Sequence, residues 1–457
     1  MNRTAVLSVV GLTQRLIGAH TPHISRFLAA GSMTSVRPAF PAVTCTAQST
    51  YLTGKTPAEH GVVGNGWYNR ELAEVQFWKQ SNHLVHGRKL WEDLRELRPG
   101  FTCAKVFWWY NMYSTADYSI TPRPMYPADG RKVFDIYTAP LDMRSAIKKD
   151  LGEFPFRSFW GPGAGIDSSR WIAGSAKWIE QRYQPTLSLV YLPHLDYNLQ
   201  RLGPDDPAIS ADLEQIDAVI GDLISFFQQR DIEVVVLSEY GITAVDRAIH
   251  LNRLFREQGW ITIKDELGLE MIDCGASKAF AVADHQVAHV YVQDPALLTR
   301  VRDVLQFAPG VAEVLDREQQ AAIGLDHPRA GDLVAVADAG SWFTYYYWLD
   351  DAVAPDFART VDIHRKIGFD PVELFIDPKI KIPAARVAAF LLKKKLRFRA
   401  LLDVIPLDAT LVKGSHGRLP EQHEEWPVLI VPRDAGEPQG TIAAEEVYET
   451  LRSLCLR

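Results

Sequence analysis

Two prolines, Pro38 and Pro41, lead into a run of small and hydroxyl-bearing residues, "PAFPAVTCTAQST", which carries Thr44 and Thr46. Proline fixes φ, and a threonine at a helix start leaves its hydroxyl beside backbone N–H groups that have no intrahelical partner. That hydroxyl either caps the helix or faces an anion such as a phosphate as a nucleophile. Three other apolar runs end in polar groups. Asp196 and Gln200 lie in "YLPHLDYNLQRLGP", Glu239 and Tyr240 close "VVVLSEYG", and His416 sits in "KGSHGRLP". The four-residue step from Asp196 to Gln200 puts both on one face of a helical turn. Carboxylates from two strand ends and an imidazole from a late loop form a donor set for a divalent ion. A metal beside a hydroxyl suits phosphoryl transfer, because it lowers the hydroxyl's pKa and neutralises phosphate oxygens.

The remaining polar residues leave alternatives open. Thr46 reads as a capping or packing hydroxyl. Gln200 either orients a substrate group or sits on an exposed helix face, and Tyr240 either bonds a phosphate oxygen or closes the pocket. In "VDIHRKIGFD", Asp362 and His364 share one face of an extended strand, a spacing found in metal sites and in salt-bridged loops alike. Arg365 and Lys366 beside them are candidate phosphate-binding cations. Asp284, His285 and His289 flank a strand in "VADHQVAHVYV", and His194 lies two residues before Asp196. His60 and His364 taken singly are more often structural. The aromatics of "WFTYYYWLDD", Trp342 and Trp348 among them, are most simply core and cap packing, the alternative being a cap that stacks a base or ring.

These groups need a scaffold that gathers them. "AVLSVVGL", "TCAKVFWWY", "TLSLVYLPHLD" and "IEVVVLSEYG" contain continuous apolar runs, as in strands buried on both faces of a parallel sheet. Between them, "PAISADLEQIDAVIGDLISFFQQR" has apolar residues at helical spacing. Strand and helix in alternation predict an α/β fold, a mostly parallel sheet sandwiched by helices, with ligands beyond the carboxyl ends of its strands. From about residue 245 the texture changes to strands with an intervening helix. We therefore expect an α/β core at 1–244 and 346–457 and an inserted cap-like subdomain at 245–345.

The 457 residues exceed the usual size of one core; 47% are hydrophobic and 23% charged, as in soluble globular proteins. With a net charge of −7 and no basic block that stands out, neither a nucleic-acid polymer nor a membrane is expected as a partner. "MNRTAVLSVVGLTQRLIG" lacks a small-residue cleavage site and reads as a first strand. Cys45, Cys103, Cys274 and Cys455 show neither metal-like nor redox-like spacing, which fits reduced thiols and a cytoplasmic location.

In order, these motifs resemble the alkaline phosphatase superfamily, and in particular its nucleotide pyrophosphatase/phosphodiesterase branch. "PAFPAVTCTAQSTYLTGKTPAEHGVVGN" is similar to the stretch in which that branch carries its threonine nucleophile, at the position of Thr44. Thr53, Gly54, Pro57, His60 and Gly61 keep the accompanying spacing. "YLPHLDYNLQRLGP" resembles the branch's Asp-x-x-x-His-x-x-Gly-Pro element, "LSEYGI" stands where it has Ser-Asp-His-Gly-Met, and "GSHG" matches its late His-Gly. The resemblance spans nearly the whole chain. It implies an alkaline-phosphatase-like sheet, a phospho-threonine intermediate and two zinc ions held by six side chains.

Here the ligand set is only partly kept. Gly11 stands where the family has an Asp after the first strand, Gln200 replaces a His, and Glu239 and Tyr240 replace the Asp-His pair. Asp196 and His416 match, and Glu239 keeps a carboxylate on a longer arm. The expectation is one divalent ion, zinc or manganese, rather than two, held by Asp196, His416 and Glu239. Gln200, Tyr240, Asp362, His364 and Arg365 are auxiliary or substrate-binding candidates. Three functions follow from this set. The first is a hydrolase of phosphodiester, pyrophosphate or phosphomonoester bonds acting through Thr44. The second is a hydrolytically impaired member that binds a small phosphorylated metabolite, a nucleotide or a partner. The third is a single-metal enzyme acting on a sugar or cyclitol phosphate.

Overall fold

A computed structural model describes residues 2–396, 398–433 and 440–457. Nine strands make the central sheet: β1 (Arg3–Val9), β2 (Gly31–Arg37), β3 (Cys103–Val106), β4 (Tyr118–Pro122), β5 (Ile136–Ala139), β6 (Leu187–Leu192), β7 (Ile232–Leu237), β8 (Val428–Pro432) and β9 (Thr441–Ala443). Their spatial order is β9-β2-β8-β7-β1-β6-β3-β4-β5. The five strands from β7 to β4 run parallel, whereas β8 lies antiparallel to both β2 and β7, and β5 antiparallel to β4. The mixed α/β architecture is thus the one that the apolar runs predict.

Burial explains the runs. Residues 4–9 of β1 and all of β6 are buried, because helices cover both sheet faces. One of these, α3 (Ile209–Gln228), turns Ile216, Ile220, Leu223 and Phe227 into the core. It spans the stretch whose three-and-four spacing predicts it.

A second, four-stranded antiparallel sheet is built from Ala279–Asp284, Val287–Val292, Val311–Leu315 and Leu333–Ala337. Residues Arg247–Ile249 and Ser341–Phe343 pair in parallel where the chain enters and leaves this region. Trp342, Tyr345, Tyr346, Tyr347 and Trp348 are buried in its adjoining apolar cluster, so the aromatic run is core. The four cysteines are buried and unpaired. No helix among the described residues is long and apolar enough to cross a membrane.

Candidate active site

Thr44 is the first residue of α1 (Thr44–Thr53), and the preceding Val43 is extended, so the helix starts abruptly out of the proline turn. That turn is tied to the far end of the chain. Ala42 N–H donates to Gly417 O at 2.8 Å, and the Ala42 carbonyl lies 2.8 Å from His416 Nδ1. The Nδ1 proton therefore points at a carbonyl, and Nε2 keeps its lone pair. Asp196 lies in the first turn of α2 (His194–Leu202), just beyond β6, and Glu239 and Tyr240 follow β7. Both positions are carboxyl ends of parallel strands, where ligand crevices form in such sheets.

These side chains converge into one hydrogen-bonded chain. The Thr44 hydroxyl is 3.2 Å from the Tyr240 hydroxyl, which donates to Asp196 Oδ1 at 3.1 Å. Gln200 Nε2 donates to Asp196 Oδ2 at 2.8 Å, and His416 Nε2 stands 3.9 Å from Asp196 Oδ1. The Tyr240 ring stacks on His416 with centroids 3.7 Å apart. Glu239 faces inward, where its Oε1 accepts from Ser8 Oγ at 2.9 Å and Gln48 Nε2 at 2.7 Å. All these residues are buried, the Asp196 side chain being 12% exposed against 1% for His416.

Burial sets the electrostatics. It pushes Asp196 up to about 7, against the opposing pull of the Tyr240 and Gln200 donors. It pushes Glu239 to about 7 as well, opposed by Gln48, Ser8 and Thr44. His416 is held well below the usual imidazole range by burial and by neighbouring His285. Neither Lys nor Arg forms a hydrogen bond or ion pair with this group among the described residues. Instead, several acceptors lack a donor: Gln200 Oε1, Glu239 Oε2, His416 Nε2 and His285 Nε2.

His285 and Asp284 join the site from the hairpin between Ala279–Asp284 and Val287–Val292. The His285 ring packs 3.7 Å from both His416 and Phe369, and its Nδ1 is 2.9 Å from Asp284 Oδ1. Asp284 accepts from Asn65 N at 2.7 Å and Asn65 Nδ2 at 3.0 Å, while Asn65 Oδ1 accepts from Cys45 N–H beside Thr44.

Other candidates sit elsewhere. His364 Nδ1 approaches the Phe77 carbonyl at 3.3 Å, and the Asp362 backbone N–H donates to Glu373. Arg365 pairs with Asp356 at 2.9 Å, and Lys366 is buried between Asp370 and Glu373. No hydrogen bond or ion pair joins Asp362, His364, Arg365 or Lys366 to Thr44, Asp196 or His416 among the described residues. His194 pairs with Asp212. His60, held down to about 3 by burial, spans Thr50 Oγ1 and Val62 N–H, while Thr46 donates to Val62 O. His289 donates to Val63 O and accepts from Gly331 N–H. Sequence reasoning missed Ser8, Gln48 and Asn65. Gln48 had a signal, because it follows Thr44 by one helical turn and so shares its face.

The two-zinc set implied by the resemblance does not fit these residues. Val10 and Gly11 follow β1 and offer no donor. Gly11 has φ +77°, and a side chain there would start 3.0 Å from Leu199 Cδ1. The amide of Gln200 turns its N–H, not its oxygen, to Asp196, and Tyr240 spends its hydroxyl between Thr44 and Asp196. No group of three His, Cys, Asp or Glu residues is placed to hold a metal ion among the described residues.

Comparison with known proteins bears out the resemblance. A stretch of 232 residues is 23% identical to an uncharacterised pyrophosphatase/phosphodiesterase of Schizosaccharomyces pombe, covering 48% of this chain and 40% of that relative. The matched part is thus less than half of the relative's length. Among solved structures, an inactive variant of murine ectonucleotide pyrophosphatase/phosphodiesterase 5 in complex with AMP aligns at a TM-score of 0.60 and 15% identity, over 100% of this chain and 95% of that one. Phosphonoacetate hydrolase from Sinorhizobium meliloti 1021, in complex with phosphonoformate, aligns at 0.61 and 13% identity, over 100% and 96%. At such identities the structures show a shared fold. The family model for type I phosphodiesterase / nucleotide pyrophosphatase matches residues 4–370, and the chain belongs to that family of phosphodiesterase- and pyrophosphatase-type hydrolases.

Proposed function

We propose that the Thr44 end of the sheet binds a small phosphorylated metabolite or nucleotide and that the family's two-metal hydrolysis is impaired in this chain. One observation carries the proposal: Tyr240 bridges Thr44 and Asp196 by hydrogen bonds at the positions from which a metal pair would be held. The start of α1 suits the phosphate. The unpartnered acceptors of Gln200, Glu239 and His416 suit hydroxyl groups on a sugar or polyol moiety, since a buried acceptor without a donor costs about 1–3 kcal/mol.

A second function is favoured by the same chain of hydrogen bonds. If Thr44 Oγ attacks phosphorus, its proton passes to the Tyr240 oxygen while the Tyr240 proton passes to Asp196 Oδ1, and the leaving oxygen departs with the P–O bond's electrons. The phospho-threonine is then hydrolysed by water. Among the described residues no Lys or Arg stands beside this relay to neutralise the transferred group, which favours binding over turnover.

Protein purified without chelator decides between them. Elemental analysis is expected to find zinc and manganese well below one ion per chain. Added metal is expected to leave turnover on a phosphodiester, pyrophosphate and phosphomonoester panel at the level of Thr44→Ala, while AMP raises the melting temperature. One bound ion per chain, with turnover abolished in Thr44→Ala, overturns the impaired reading and establishes the threonine hydrolase.

A further inference from the structure

Between Pro378 and Leu402 the chain carries eight Lys and Arg residues and no Asp or Glu, in a protein whose net charge is −7. The expectation from the overall charge is that no basic block points to a nucleic acid or a membrane surface; this segment is such a block. The segment is an excursion from the core: Asp377 N–H donates to Val404 O at 2.8 Å, closing its two ends. Its centre is α4 (Pro383–Lys395), "PAARVAAFLLKKK", none of whose residues is buried. Pro383, Val387 and Phe390 are half-buried and form one stripe, whereas Leu391 and Leu392 project into solvent with Lys393, Lys394 and Lys395. Ile382, Leu391, Leu392, Leu396, Phe398 and Leu401 are each between 47% and 66% exposed. Among the described residues, the one acid that pairs with it is Asp403, at the foot of the excursion, through Arg386.

We propose that this excursion is a membrane-docking element that seats α4 on an anionic bilayer surface. Exposed aliphatic side chains and clustered cations on one short helix make two demands at once. Leu391, Leu392 and Leu396 need an apolar phase, and the lysine heads need anions within reach of their stems. The interface of a bilayer meets both, with the leucines among the acyl chains and the lysines extended to the headgroups. A nucleic-acid backbone would meet the charges and leave the leucines in water. A second copy facing the same patch would bring two sets of like charges together. Binding is peripheral, since the helix is about 20 Å long at 1.5 Å per residue, short of a bilayer's span.

Flotation of the intact protein with lipid vesicles tests this. It is expected to float with vesicles of phosphatidylcholine mixed with phosphatidylserine, to stay behind with phosphatidylcholine alone, and to be released by high salt. Lys393→Glu/Lys394→Glu/Lys395→Glu is expected to lower partitioning by about a hundredfold or more, from the worth of three lysines near an anionic surface. Leu391→Ser/Leu392→Ser/Leu396→Ser is expected to lower it at unchanged charge. Circular dichroism and melting of both variants, altered only at exposed positions, confirm that they remain folded. Equal flotation with both vesicle types, or indifference to either triple variant, overturns the proposal. So does tighter binding to duplex DNA or RNA than to anionic vesicles at the same salt, or light scattering that shows a dimer broken by the leucine variant with no flotation of the wild type.

Discussion

Asp196 and Glu239 are two buried carboxyls, both pushed by burial to about 7, and no Lys or Arg among the described residues bonds to either. A carboxyl in the unfolded chain titrates near 4. Their folded values are raised, so the stability they confer is present below pH 4 and is lost as pH rises through 7. Melting temperature should therefore fall between pH 4 and 7. In Asp196→Asn/Glu239→Gln the slope flattens, by up to about 1.4 kcal/mol per pH unit for each group. An unchanged slope in differential scanning calorimetry would refute the assignment of these groups. At this scale the sequence told much. Thr44, Asp196, Gln200, Tyr240 and His416 lie together in one hydrogen-bonded and stacked group, and the departure of Gln200 and Tyr240 from the family pattern was visible in the letters alone. The inward bonds of Glu239 to Ser8 and Gln48 were not, because which way a strand-end carboxylate turns depends on three distant elements.

Elements hold the site by close backbone approach. Gly414 precedes the His416 loop, and a Cβ there would lie 2.0 Å from the Leu199 carbonyl oxygen on α2, the helix that carries Asp196. Gly414→Ala must push the loop and helix apart, at a cost of about 1–3 kcal/mol or more, and weaken the stacking of Tyr240 on His416. Reduced melting temperature with altered near-ultraviolet circular dichroism is the expected outcome. Strands β1, β6 and β7 and helix α3 were legible because their periodicity is set by two-sided or one-sided burial. The entry of Asp284 and His285 was not, since a hairpin from the second sheet reaches the site only through tertiary packing. The location of Arg365 was equally hidden: its charge is answered by Asp356, a neighbour across a loop that carries no periodic signal.

At the scale of the whole molecule, the excursion at 378–403 departs four residues after Leu374, whose carbonyl faces Arg201 of α2. Because its ends already meet at Asp377 and Val404, replacing residues 381–401 by a short glycine-serine link, which spares the core-packed Ile380 and Leu402, should leave the melting temperature nearly unchanged while vesicle flotation disappears. A large loss of stability would show that the excursion braces the core instead. Composition concealed this patch, since a total charge averages it against an acidic remainder. The sheet order has a different consequence, for the birth of the chain. Strand β2 is made early, yet its two neighbours, β8 and β9, are residues 428–432 and 441–443. While the ribosome works through everything between, that strand has both hydrogen-bonding edges open, and nothing local can close them. A nascent polypeptide stalled before residue 428 should therefore be a chaperone client and prone to self-association, and emergence of residues 428–443 is the event that closes both edges of β2.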